Sequence, residues 1–210
     1  MFVSNIDEII RILKKEVKKY ENTAMNQIEK DPYMILISCL ISLRTKDYVT
    51  IDASKRLFSL AKTPKDVLNL SIQEIENAIK PANYYKTKAL RIKEISKTIV
   101  EKYNGSVPSE FDELIKLKGV GRKTANIVLS HAFNKNVIAV DTHVHRISNR
   151  LGLIRTKNPK ETEFELKKFV PKKYWKIYND LLVVWGQNVC KPKKPKCASC
   201  AISKYCKKII

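Results

Sequence analysis

Apolar residues recur every three or four positions along most of the chain, which is the spacing of a helix with one buried face. In the N-terminal segment, after a candidate N-cap at Ser4, they fall at Ile6, Ile9, Ile10, Leu13 and Val17. Alternating strand patterns are scarce, and "NVIAV" at residues 136–140 is the one extended candidate. The pattern therefore predicts an all-α fold.

Capping signals indicate where several of these helices begin and end. Thr63 followed by Pro64 predicts one helix start, and Ser71 with Glu74 has the spacing of a capping box. A long helical pattern later in the chain ends at Gly105, a residue that tolerates the left-handed conformation of a helix end. Long helices joined by short connections are the expected result.

A glycine-containing turn interrupts the pattern at "LKGVGRKTANIVL", residues 117–129. "PSEFDELIKL" predicts a short helix capped by Ser109, and "RKTANIVLSHAF" predicts a second helix. Glycine reaches positive φ without steric cost, and the uncapped N–H groups and dipole of the second helix attract phosphate. One interpretation is a helix-hairpin-helix that grips a nucleic-acid backbone, and the other is an ordinary tight turn. In the first, the contacts come from Gly119, Val120, Gly121, Arg122 and Thr124.

Lys123 lies on the first turn of the second predicted helix. It could contact phosphate, as Arg122 beside it could. Alternatively it could be a nucleophile, because a positive helix end and neighbouring cations disfavour the protonated amine. The local residues leave both readings open.

Asp141 ends the apolar run "NVIAV" and precedes a helical pattern, so it is predicted to cap that helix. A carboxylate at such a junction can stay ionised and stabilise a developing cation. His143 and His145 are two positions apart, on different sides of a helix, so they are not expected to form a metal pair.

Four of the five cysteines lie in the tail, as C-x6-C-x2-C-x5-C at Cys190, Cys197, Cys200 and Cys206. Four thiolates so close together suit an iron–sulfur cluster or a structural zinc. The outer spacings fit paired zinc knuckles poorly, which favours the cluster. The first loop, "KPKKPK", predicts a basic edge for phosphates at Lys191, Lys193 and Lys194. Cys39, in an apolar segment, is predicted to be an inert buried thiol.

The charge of the chain strengthens the nucleic-acid interpretation. The 210 residues carry 41 Lys and Arg against 21 Asp and Glu, a net charge of +20 that attracts polyanions. The longest apolar run is too short to span a bilayer, and the charged N-terminal segment is not typical of a signal peptide. An intracellular protein with no membrane partner is expected. No coiled-coil heptad indicates an oligomer, so a monomer is the default.

Together, "LKGVGRKTA", "VDTHVHR" and the cysteine tail resemble the endonuclease III family of base-excision DNA glycosylases in order and spacing. The resemblance runs from about residue 25 to Cys206. It implies a six-helix domain at residues 26–135 with the hairpin at about 109–133. It also implies a second helical domain, residues 1–25 with 136–210, that carries a [4Fe–4S] cluster. DNA would lie in a cleft between the domains.

The resemblance also implies a mechanism. Lys123 stands at the family's nucleophile, which attacks C1′ of the damaged nucleotide and forms a Schiff base. Asp141 stands at the catalytic carboxylate, where it would activate Lys123 and stabilise the transition state. The implied function is a bifunctional glycosylase and abasic-site (AP) lyase that removes oxidised pyrimidines, such as thymine glycol, from damaged duplex DNA. An enzyme of this kind would be cytoplasmic and associated with the nucleoid.

Two positions depart from the family pattern. Arg44 stands where the family often has glutamine, and Tyr84 falls near a position that is often leucine. Both side chains can stack on or intrude into DNA. Three alternatives remain: a monofunctional or mismatch-specific glycosylase, a non-catalytic DNA-binding hairpin module, and a zinc-bound structural adaptor.

Overall fold

The computed structural model describes residues 5–209, in which all regular secondary structure is helical and no β-strand occurs. The all-α prediction is confirmed. The Ser4 cap lies outside the described residues. In chain order the helices are α1 (Ile6–Glu16), α2 (Pro32–Ser42), α3 (Asp47–Leu60), α4 (Pro64–Asn69), α5 (Ile72–Ile79), α6 (Tyr85–Tyr103), α7 (Phe111–Leu114), α8 (Arg122–His131), α9 (Thr142–Leu151), α10 (Pro159–Phe169) and α11 (Trp175–Asn188). Short 3-10 helices occur at Val17–Lys19, Ala24–Gln27, Lys172–Tyr174 and Ser203–Tyr205.

The chain divides into two compact units. One unit is Ala24–Lys135 and contains α2 to α8. The other joins the segment up to Thr23 to the segment from Asn136 onward, and so combines α1 with α9, α10 and α11. No helix within residues 5–209 has both the length and the apolar character that crossing a membrane requires.

Helix α2 is the centre of the Ala24–Lys135 unit. It is apolar around its whole circumference, which is typical of a helix enclosed by others, and it packs against α3, α6 and α8. Its most deeply buried side chains are Ile35, Leu36, Ile37 and Ile41. The position of α8 is therefore fixed by contact with a largely buried helix.

The capping signals predicted for α4, α5 and the end of α6 are confirmed. Thr63 accepts from the backbone of Asp66 and forms a capping box at the start of α4, with Pro64 in the first turn. Ser71 and Glu74 form a second box at α5. After α6 ends, Gly105 takes a φ of 81° and its N–H donates to the Ile99 carbonyl over 3.0 Å.

Helices α9 and α11 pack closely in the other unit. A Cβ added at Gly186 of α11 would lie 2.3 Å from His143 Nδ1 and 2.9 Å from Arg146 Nη2. Trp185 and Tyr178, also on α11, are almost fully buried in the same core. Helix α1 contributes the predicted apolar face, with Ile6, Ile9, Ile10 and Leu13 buried, while Val17 lies beyond the end of α1 and is half-buried.

Gly186→Ala is expected to lower the free energy of unfolding by about 1–3 kcal/mol, because the added methyl group overlaps the side chains of α9. This loss should exceed the gain of about 1 kcal/mol that alanine brings to a helix interior. Urea unfolding monitored by circular dichroism would measure it. The control is Gly121→Ala, where an added Cβ meets no atom within 4 Å. A Gly186→Ala protein as stable as wild type would contradict the close α9–α11 contact.

Candidate active site and nucleic-acid interface

The predicted hairpin is formed by α7 and α8 and a short turn between them. The turn is closed by two backbone hydrogen bonds, from Leu117 N–H to the Leu114 carbonyl at 3.1 Å and from Val120 N–H to the Leu117 carbonyl at 3.0 Å. The Gly121 carbonyl then accepts from Ala125 N–H at 2.9 Å, which starts α8.

The Ser109 cap is wrong. The N-cap of α7 is Glu110, and no side chain caps this helix. Lys135 Nζ donates to the Ser109 carbonyl at 2.5 Å and to Glu110 Oε1 at 2.7 Å. The Ser109 hydroxyl faces the same carboxylate at 3.5 Å. Because Lys135 binds this segment from outside, the helix begins one residue later than the sequence indicates.

The two hairpin glycines are required for different reasons. Gly119 has a φ of 86°, and a Cβ there would lie 2.5 Å from Arg91 Nη1. Gly121 is exposed, with an extended backbone at φ −94° and ψ 176°, and its Cβ position is open. Packing within the protein thus explains Gly119 but not Gly121. The open space lets an outside backbone approach the first turn of α8, which no side chain caps in the described structure.

Several side chains of the hairpin pack against the protein itself. The Arg122 guanidinium lies 4.6 Å from the centre of the Phe111 ring, so it joins α8 to α7. Val120 and Thr124 are buried. Any contact with a nucleic acid from these two positions would therefore use their backbone.

Lys123 lies on the first turn of α8, as predicted, and is half-buried. Its charge is close enough to act on Cys39 of α2. Burial raises the pKa of Cys39 to about 11, and the Lys123 charge opposes this only weakly. Cys39 is thus a protonated, buried thiol at neutral pH, in contact with Met25 Sδ at 3.4 Å.

Asp141 is the N-cap of α9, as predicted from the sequence. Its Oδ1 accepts from Val144 N–H at 2.8 Å, and the cap does not use Oδ2. The segment before it is held in place because Asn179 Nδ2 donates to the Ala139 carbonyl at 3.0 Å. A half-buried carboxylate with a fixed backbone and an oxygen outside the cap can stabilise a positive charge nearby.

The two histidines of α9 have different neighbours. His145 Nδ1 lies 2.7 Å from Thr162 Oγ1 of α10, whereas His143 Nδ1 lies 3.1 Å from Arg146 Nη2. Both therefore contribute to packing within this unit.

The four tail cysteines line one pocket, together with apolar side chains that include Ile147, Trp185 and Ile202. Burial raises the pKa of Cys200 and of Cys206, and the neighbouring cysteines raise both further. Within residues 5–209, no three or more His, Cys, Asp or Glu side chains have the arrangement of a site for a metal ion.

Sequence reasoning missed two arginines that hold the first loop of this segment to α9. Arg146 Nη2 donates to the Cys190 carbonyl at 2.9 Å. Arg150 donates to the Lys191 carbonyl at 2.7 Å and to the Pro192 carbonyl at 2.8 Å. Their four-residue spacing, one helical turn, was the available signal. Lys191, Lys193 and Lys194 themselves are exposed.

The structure brings together Arg44 and Tyr84, which are 40 positions apart. Arg44 Nη1 donates to the Tyr84 hydroxyl at 3.5 Å, and the guanidinium lies 5.9 Å from the ring centre. Both residues are exposed and have positive φ, 54° and 57°. They form one surface feature, the Arg44–Tyr84 pair.

Comparison with known proteins agrees with this fold and these motifs. Residues 37–172 match the HhH-GPD superfamily of base excision DNA repair proteins. Over 201 residues the chain is 46% identical to endonuclease III of Thermotoga maritima, covering 96% of this chain and 92% of that protein. A non-covalent endonuclease III–DNA complex is similar with a TM-score of 0.89 at 35% identity, covering 99% of this chain and 96% of the other. A trapped endonuclease III–DNA covalent intermediate, an estranged-adenine complex, gives 0.83 at 36% identity, covering 96% and 95%.

The chain therefore belongs to the HhH-GPD superfamily of base excision DNA repair proteins and, within it, to the endonuclease III family. The family inferred from the sequence is confirmed. The protein is an enzyme, a DNA glycosylase with AP lyase activity.

Gly121→Ala is expected to weaken binding to duplex DNA about tenfold, the equivalent of one or two lost hydrogen bonds to a charged group. The added methyl group would occupy the open approach to the first turn of α8, while the fold has room for it. Fluorescence anisotropy at fixed salt would measure affinity. Unchanged affinity in a protein of normal stability would show that DNA does not approach there.

Proposed function

We propose that this protein removes oxidised pyrimidines of the thymine glycol type from duplex DNA, with Lys123 as the nucleophile. The observation that supports this most is the place of Lys123, two residues after the exposed Gly121 and on the uncapped turn of α8. A phosphate backbone bound at that turn would bring a deoxyribose close to the amine. The damaged nucleotide must leave the stack to be reached.

The reaction requires Lys123 as a free amine. Its nitrogen forms a bond to C1′ as the N-glycosidic bond breaks and the base departs with the bonding electrons. Loss of one amine proton leaves an aminal at C1′. The C1′–O4′ bond then breaks as O4′ takes up a proton, which opens the sugar ring and gives the protonated Schiff base. Removal of a C2′ proton then expels the 3′ phosphate oxygen, and the strand is cut by β-elimination. Asp141 serves as the carboxylate that accepts a proton from the amine and stabilises the developing positive charge.

The four tail cysteines fit a [4Fe–4S] cluster, which would be held by Cys190, Cys197, Cys200 and Cys206. All four line one pocket with several apolar side chains. Their C-x6-C-x2-C-x5-C spacing suits a polynuclear cluster better than paired zinc knuckles. When bound, such a cluster would supply a covalent cross-link for this short tail. We infer that residues 1–25 with 136–210 form the iron–sulfur domain and residues 26–135 the hairpin domain.

The remaining DNA contacts fall on exposed residues of both units. Lys191, Lys193 and Lys194 would bind phosphates, with their loop oriented by Arg150. Arg44 and Tyr84 would contact bases. The protein would act as a monomer on damaged DNA inside the cell, in association with the nucleoid.

Borohydride trapping on a duplex with a single thymine glycol tests the nucleophile. Wild type should form a covalent adduct with DNA, and Lys123→Ala should form none while binding the duplex with similar affinity. Lys116→Ala is the control, because it removes a cation from the same hairpin outside α8. An adduct in Lys123→Ala would exclude Lys123. Wild-type protein that releases the base without forming an adduct would indicate a monofunctional glycosylase.

Metal analysis of the purified protein tests the cluster. Wild type should be brown and contain about four irons and four acid-labile sulfides per chain, as expected for a cubane with four thiolate ligands. Cys197→Ser should lose iron and weaken DNA binding, whereas Cys39→Ala should keep its iron because Cys39 lies in the other unit. A colourless wild-type protein that contains zinc would contradict the assignment.

A further inference from the structure

Lys88, on α6, is a buried cation that neither the hairpin nor the cysteine pocket uses. It is 7% exposed, and its Nζ donates to the Ile41 carbonyl at 2.6 Å, the Leu43 carbonyl at 2.8 Å and Thr45 Oγ1 at 2.9 Å. These bonds occupy all three donors of an ammonium group. A cation is kept in such a place only when its hydrogen bonds are satisfied.

The three acceptors surround Arg44. Two of them, on Leu43 and Thr45, belong to the residues directly before and after it. Asn83 binds the same segment, since its side chain donates to the Arg44 carbonyl and its N–H donates to Thr45 Oγ1 at 3.2 Å. A non-glycine residue at positive φ costs about 1–3 kcal/mol and persists when its surroundings over-determine it. Lys88 and Asn83 supply those surroundings.

Lys88 also binds the other member of the pair. Its backbone N–H donates to the Tyr84 carbonyl at 3.0 Å in the first turn of α6. Tyr84 is itself at positive φ, and 62% of it is exposed. One residue therefore contacts the backbone of both strained segments, through its side chain on one side and its main chain on the other.

On the protein surface, this arrangement places a planar cation beside an aromatic ring. Such a surface suits the face of an unstacked nucleobase, because aromatic rings and guanidinium groups both stack on bases. A phosphate alone would need no ring. The pocket beneath is lined by Arg44, Tyr84, Lys88, Arg91 and Gly119, so the pair lies next to the hairpin turn.

We propose that Lys88 is a positioning residue that holds the Arg44–Tyr84 pair in the geometry that contacts DNA bases around a lesion. This rests on the proposed function. The pair then contributes to separating a damaged base from the stack, and it contributes little once the base is gone. Lys88 should matter for base excision and much less for cleavage at a preformed abasic site, where no base has to leave.

Three substitutions separate this role from general stability. Lys88→Met keeps the length of the side chain and removes every side-chain donor, whereas Lys88→Arg keeps the positive charge and the side-chain donors. Lys86→Met is the control, an exposed lysine on the same helix. Single-turnover excision of thymine glycol should fall about tenfold or more in Lys88→Met, since bonds to a charged group are lost. Cleavage of an abasic duplex should remain within about twofold, and Lys88→Arg should recover part of the excision rate.

A double mutant tests whether Lys88 acts through the pair. If it does, Lys88→Met combined with Arg44→Ala should excise no more slowly than Arg44→Ala alone, because the Lys88 side chain holds the segment around Arg44. Additive losses would overturn the proposal, as would equal losses of excision and abasic-site cleavage.

If Lys88→Met fails to fold, Thr45→Val removes one acceptor of Lys88 and should give the same selective loss of excision, but a smaller one. A Thr45→Val protein that loses the same fraction of wild-type activity on both substrates, or loses none on either, would then overturn the proposal.

A binding measurement separates this proposal from the lesion assignment. The probe is an intact duplex in which 2-aminopurine lies beside a mispaired, undamaged thymine, and its fluorescence rises when this neighbouring base leaves the stack. Wild type should raise the signal, and Lys88→Met should bind without raising it. If wild type fails to excise thymine glycol but shows this difference, the lesion assignment is wrong and the role of Lys88 stands. An equal fluorescence increase in both proteins would exclude that role.

Discussion

The uncapped first turn of α8 is the constraint on which the rest of the candidate site depends. The turn is open because Gly121 has no side chain, and it is held in place because α8 packs against the largely buried α2. A nucleophile on this turn is positioned by the same helix that can hold the phosphate backbone. Phosphate binding and placement of Lys123 are thus two consequences of one helix start.

Helix α9 has a comparable positioning role in the other unit. Asp141 begins it, and two arginines one and two turns later hold the carbonyls of the loop between the first two tail cysteines. The basic loop is therefore oriented by α9 even before any group is bound by the cysteines. Because Gly186 brings α11 close to this helix, α9 is supported on the side opposite to solvent.

Sequence reasoning succeeded where one short stretch determines the outcome. The capping boxes, the cap at Asp141 and the hairpin are local, and the backbone pattern alone defines them. It failed at Ser109, because Lys135 binds that segment from 26 positions away. It also treated the hairpin glycines as equivalent, although only Gly119 adopts positive φ. The role of Lys88 could not be predicted from the sequence. Two of its three acceptors are backbone carbonyls, and because every residue has a carbonyl, such contacts leave no sequence pattern.

The same observation changes how the net charge of +20 should be interpreted. Several cations of this chain bind backbone carbonyls within the fold: Arg56, Lys88, Lys93, Lys135, Arg146 and Arg150. A cation used in this way stabilises a helix end or a loop, and its donors are no longer available to a phosphate. Composition therefore overstates the charge that faces DNA. The cations that remain for DNA are the exposed ones, and those bound to carbonyls, such as Lys88 and Arg150, hold nearby loops in place.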